Sequence, residues 1–126
     1  MKCNYLNDNK PGNLALYEGF NWLRLQSAKT GGLIAVPTLA NLEHYASLPG
    51  LESLKAFIKP PHRAVIEGNL FEVVLPSKMI RHGINRPILV LHPTKDFLSK
   101  VLRIRDVAEI YVISQDTIMN DLKTKK

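Results

Sequence analysis

Three stretches of the chain place a proline and a hydroxyl side chain directly after an apolar run. Leu33-Ile34-Ala35-Val36 is followed by Pro37-Thr38, Val73-Val74-Leu75 by Pro76-Ser77-Lys78, and Ile88-Leu89-Val90-Leu91 by His92-Pro93-Thr94-Lys95. The chemistry these residue types offer is anion binding. A Thr or Ser at the start of a helix accepts a hydrogen bond from an early backbone N–H, and the remaining free N–H groups of that first turn attract negative charge. Lys78 and Lys95 sit where a cation opposes the positive end of the helix dipole, at a cost of roughly 0.3–1 kcal/mol, which a bound anion would reverse. Asp96 offsets that cost beside Lys95, and nothing adjacent does so beside Lys78. His92 stands at the end of its apolar run, where a general base reaches a cleft. Thr38, Ser77, Lys78, His92, Thr94 and Lys95 are therefore the candidate ligand-binding residues. Capping alone also accounts for all three hydroxyls.

Such residues act together only if the fold brings the three junctions to one edge. The apolar runs at 33–36 and 88–91 show no alternation, the pattern of strands buried on both faces in a parallel sheet. Helical spacing of Leu16, Phe20 and Leu23 predicts a helix from an Asn13 cap to about Lys29, ended by Thr30-Gly31-Gly32. Further helices are expected at 39–47 and 51–57, a short helical turn at 77–82, a helix from Thr94 to about Leu102, and a terminal helix opening at Ser114-Gln115-Asp116. Strands are expected at 33–36, 88–91 and 107–113. Two β-like runs around Gly68-Asn69 predict an antiparallel hairpin or edge strand over residues 64–75.

Strands alternating with helices make this an α/β chain. The expectation is a single three-layer α/β/α domain, Rossmann-like or flavodoxin-like, with a mostly parallel sheet. Ligands of such sheets bind at the carboxyl ends of the strands. If the hairpin reverses the strand ending at Leu75, Ser77 and Lys78 move to the opposite edge, leaving Thr38, Thr94 and Lys95. Residues 1–12 are polar, end in Pro11-Gly12 and read as a flexible lead-in. Residues 13–122 form the domain, and 123–126 a basic tail.

With 126 residues the chain is one domain in size. Its only cysteine, Cys3, allows no internal disulfide, which points to a reducing, cytoplasmic setting. The opening residues have no apolar segment typical of a signal peptide, and no apolar run approaches the ~20 residues that span a bilayer. The net charge of +6 divides into +1 over residues 1–75 and +5 over residues 76–126, but only +2 remains for 76–122 once Lys123, Lys125 and Lys126 are set aside. With few aromatic residues for base stacking, nucleic acid ranks behind a protein partner or a small anionic ligand.

Other chemistry finds little purchase. His44, His62, His82 and His92 lack the spacing of a local metal site. Ser77 and Ser114 lie in no G-x-S-x-G elbow. No G-x-x-x-x-G-K-[ST] loop or G-x-G-x-x-G fingerprint occurs, and nothing implies a cofactor. Asp106, Glu109 and Asp116 form no evident acid–base pair. The function expected is a non-catalytic binding or regulatory module. The alternatives are a small enzyme acting on a phosphorylated or nucleotide substrate, and nucleic-acid binding through basic residues.

Residues 86–122, through Ile88-Leu89-Val90-Leu91, Phe97 to Leu102 and Val107 to Val112, resemble the C-terminal part of STAS domains, the regulatory modules of anti-sigma-factor antagonists. Those domains carry a phosphorylatable Ser or Thr in an Asp-Ser-Ser-Gly-like segment. The corresponding stretch here is Leu75-Pro76-Ser77-Lys78-Met79-Ile80, which lacks that motif, so neither a phosphosite nor membership follows from the resemblance.

Overall fold

A computed structural model of the chain describes residues 2–7, 14–66 and 68–114. Among them are six strands and three α-helices, in the order β1 (Lys2–Asn7), α1 (Leu14–Gln26), β2 (Gly32–Ala35), α2 (Leu39–Ala46), β3 (Arg63–Ile66), β4 (Asn69–Val74), β5 (His82–Leu91), α3 (Lys95–Val101) and β6 (Arg105–Ser114), with a 3-10 helix at Glu52–Phe57. The strands form one sheet in the order β1-β6-β5-β2-β4-β3. All neighbours are parallel except β3 and β4, which pair as the antiparallel hairpin expected around Gly68. The α/β class and the mostly parallel sheet therefore hold. The order is neither the 3-2-1-4-5-6 of a Rossmann sheet nor the 2-1-3-4-5 of a flavodoxin sheet.

The apolar runs of β2 and β5 serve both faces of the sheet. Ile34, Val36, Leu89 and Leu91 pack with buried side chains of α1, α2 and the 3-10 helix. Leu33, Ala35, Ile88 and Val90 pack with Phe97, Leu98 and Val101 of α3. Successive side chains of a strand point to opposite faces, so α2 and α3 lie on opposite sides of the sheet. Gly31, at the end of the turn after α1, has φ +78°, and a side chain there would collide with the Leu70 carbonyl oxygen. That supports a turn glycine and gives no sign of a phosphate loop.

Two local expectations are corrected. Residues 2–7, within the segment read as a lead-in, are strand β1, laid parallel along β6 with Lys2 beside Glu109 and Asn7 beside Ser114. Its polar composition hid it, because an edge strand is held by its ladder and by side chains such as Asn4, which donates to Glu109 at 2.8 Å. Trp22 of α1 donates to the same carboxylate oxygen at 3.2 Å. The helical turn expected over 77–82 is also absent. Leu75-Pro76-Ser77-Lys78 closes a tight turn through Lys78 N–H to the Leu75 carbonyl at 2.9 Å, and the chain then runs to β5 with Met79 and Ile80 packed on the α3 face. Only residues 75–81 connect the carboxyl end of β4 to the amino end of β5. A helix rises ~1.5 Å per residue, too little for that return, whereas extended chain covers ~3.3 Å. The Asn13 cap, the terminal helix after Ser114 and the basic tail lie outside the described residues.

A buried ion pair ties the outer strands of the sheet's centre. Arg86 of β5 reaches past the start of β2 to Glu72 of β4, with Nη1 3.1 Å from Oε1. Its Nε donates to the Gly83 carbonyl at 2.9 Å. Among the described residues no helix is long and apolar enough to cross a membrane.

Candidate functional site

Because β2, β4 and β5 are adjacent and mutually parallel, their three junctions meet at one edge. The strand ending at Leu75 is not reversed, so Ser77 and Lys78 stay on the same edge as Thr38 and Thr94.

At the first junction Thr38 is an N-cap in extended conformation, its hydroxyl accepting from Asn41 N–H at 3.1 Å. At the third, Thr94 accepts from Phe97 N–H at 3.2 Å, and Lys95 opens α3. Each cap contributes about 1 kcal/mol relative to alanine. The second junction differs. Ser77 is exposed in its turn and caps no helix, and Lys78 extends its Nζ to within 3.5 Å of the Pro61 carbonyl. Thr38 and Ser77, with Pro37, Leu39, Leu75 and Pro76, line a depression of about 350 Å³ between the ends of β2 and β4. His92, Thr94 and Lys95 belong to the next junction along the edge.

The β2–β5 boundary has a topological meaning. These neighbours send their following helices to opposite faces, α2 to one and α3 to the other, the arrangement of a topological switch point, beside which ligands of open α/β sheets bind. His92 stands at this boundary with a left-handed φ of 45°, uncommon for a residue with a side chain. Its N–H donates to the Ile113 carbonyl at 2.8 Å. Its Nδ1 lies 2.6 Å from the Tyr45 hydroxyl, so the α2 tyrosine bridges the gap between the two strands. Tyr45 is nearly buried, and a buried phenol requires a hydrogen-bond partner. On the neighbouring strand Ser114 is fully buried, and its hydroxyl has no hydrogen-bond partner among the described residues. Since Leu91 pairs with Ile113, Ser114 sits one position further along, level with His92.

Sequence reasoning missed Tyr45 as part of this edge, and placed Ser114 at a junction without counting it among the ligand-binding residues. Tyr45 follows the Thr38 cap by seven residues, two helical turns, on the same side as Leu42. A tyrosine on an apolar helix face was the available signal. Among the described residues no group of His, Cys, Asp and Glu could hold a metal ion.

No family model, no curated protein and no solved structure matches the chain significantly.

Proposed function

We propose that the protein is a non-catalytic binding or regulatory module that takes a small anionic ligand, of the phosphate class, at the carboxyl edge of its sheet. The observation that carries this reading is the divergence of α2 and α3 from adjacent parallel strands, with both helices beginning at the same edge of the sheet. A three-layer arrangement, with α1 and α2 on one face and α3 on the other, is part of the proposal. So is a cytoplasmic, reducing location, for which the single Cys3 speaks.

The test is a titration with inorganic phosphate and adenosine monophosphate, followed by amide chemical shifts. Shifts are expected at Thr38, His92, Thr94 and Ser114, and the affinity should fall several-fold in Lys95→Ala or Lys78→Ala. The idea is falsified if the parent binds neither compound or if both variants bind as the parent does. A small enzyme acting on a phosphorylated substrate is the second reading, favoured by the His92–Tyr45 pair. Phosphate release from a nucleotide that disappears in both His92→Asn and Tyr45→Phe would select it.

A further inference from the structure

The opposite edge of the sheet carries a second concavity. A cleft of about 580 Å³ opens where the chain enters β5 and β6 and where α3 ends. Its apolar floor is Met79, Ile80 and Ile104, and its rim carries the cations Arg81, Lys100, Arg103 and Arg105. These come from three places in the fold: the extended link after β4, the last turn of α3 with the loop beyond it, and the first residue of β6. Backbone bonds join them, from Arg105 N–H to the Arg81 carbonyl at 3.1 Å and from Arg103 N–H to the Lys100 carbonyl at 3.2 Å.

All four cationic side chains are exposed. None has a hydrogen-bond or ion-pair partner among the described residues. The carboxylate nearest in sequence, Asp106, faces His82 at 3.6 Å instead. Basic residues at a helix carboxyl end favour the helix dipole, which accounts for Lys100 and Arg103. It does not account for Arg81 and Arg105, which stand on other elements. Four like charges around one concavity repel each other until an anion neutralises them.

The backbone beside the cleft is irregular in a way that points in the same direction. Ile84, Asn85 and Asp106 all have left-handed φ values, of 53°, 56° and 57°. For a β-branched residue such as Ile84 this is an outlier, and strained conformations of this kind gather at functional sites. The register between β5 and β6 slips at the same place. No Phe, Tyr or Trp lines the cleft, and its one ring is the His82 imidazole, which faces Asp106, so successive bases have no row of stacking platforms there. Recognition would run through phosphates.

We propose that this cleft binds a ligand carrying several phosphates, a chemistry shared by nucleoside polyphosphates and the backbone of single-stranded nucleic acid. The site is separate from the one proposed at the carboxyl edge and does not depend on it.

The probes are a labelled oligothymidylate of about 15 nucleotides, read by fluorescence anisotropy, and inorganic tripolyphosphate as competitor. The full chain is compared with R103A/R105A, with R81A/K100A, and with Lys55→Ala, an exposed lysine of the 3-10 helix that lines neither site. At about 50 mM salt the parent should bind the oligonucleotide, and each double variant should bind at least about tenfold more weakly. The log–log salt slope of each should be smaller by about 1.4, the value for two lost contacts to a single strand. Lys55→Ala should stay within about twofold of the parent. Because parent and variants share the basic tail, the difference between them reports the cleft. Tripolyphosphate that displaces the oligonucleotide readily identifies a free polyphosphate as the ligand. Weak displacement with a strong salt dependence identifies nucleic acid. Either result supports the site. Failure of the parent to bind both probes, double variants that bind as the parent does, or an equal loss in Lys55→Ala would overturn it.

Discussion

The Arg86–Glu72 pair makes an asymmetric prediction. The two partners are not equally buried: side-chain exposure is 5% for Arg86 and 24% for Glu72. Removing one member of a buried pair costs about 3–5 kcal/mol, because the remaining charge is left without a partner or water. Glu72→Ala leaves the guanidinium with only the Gly83 carbonyl. Some water can follow into the space vacated by the partly exposed carboxylate, so the expected loss is about 2–3 kcal/mol. Arg86→Met removes the group that is costlier to bury, fills its volume with apolar atoms, and leaves a carboxylate that already meets solvent. That loss should be about 1 kcal/mol, the scale of one hydrogen bond.

The double variant R86M/E72A then leaves no buried charge at this point. It should be more stable than Glu72→Ala alone by about 1–2 kcal/mol. Urea unfolding followed by the fluorescence of Trp22, the only tryptophan, measures all four proteins. With m near 1–3 kcal/mol/M, Glu72→Ala should lower the midpoint by about 1–2 M, with m unchanged. The reasoning is refuted if Arg86→Met is as destabilising as Glu72→Ala, or if the double variant is less stable than Glu72→Ala.

Two further perturbations probe the sheet. Ser114→Ala removes a buried hydroxyl that has no partner among the described residues and should raise stability by up to about 1 kcal/mol, read as a higher melting temperature. A lower one would mean that the hydroxyl is satisfied. Burial, and then the neighbouring Cys3 thiol, push the Tyr5 phenol up from 10.0 to about 12. The unfolded chain therefore ionises first, so the Tyr5 contribution is fully present below pH 10.0 and is lost as pH rises to about 12. Melting temperatures across that window should fall more steeply for the parent than for Tyr5→Phe, and parallel curves would contradict the assignment.

What the sequence made legible follows from how local each signal is. β2 and β5 could be read because both faces of each strand are buried, so every residue of the run is apolar. The Thr38 and Thr94 caps could be read because a cap involves only residues three positions apart. β1 could not, since Asn4 and Asn7 look like loop residues until β6 lies beside them with Glu109 to receive the Asn4 amide. Tyr45 and His92 are 47 positions apart, and no pattern along the chain joins them. The basic cleft was hidden for a related reason. Residues 76–122 carry a net charge of only +2, but the fold gathers four of their cations at one place and turns Asp106 toward His82 and Glu109 toward Asn4 and Trp22.

The three proline–hydroxyl junctions look alike in sequence and differ in structure for a topological reason. After β2 and β5 the chain has enough length to form a helix, and the hydroxyl becomes its cap. After β4 the return path to β5 is only residues 75–81, so Ser77 falls in a turn and the chain must run extended. This short link passes over the α3 face, where Met79 and Ile80 join the core, and it delivers Arg81 beside the end of α3 and the start of β6. The departure from the repeated pattern at one edge of the sheet thus assembles the charged cleft at the other. Lengthening the 75–81 link would relax that constraint, and the cations would separate without any change in their number.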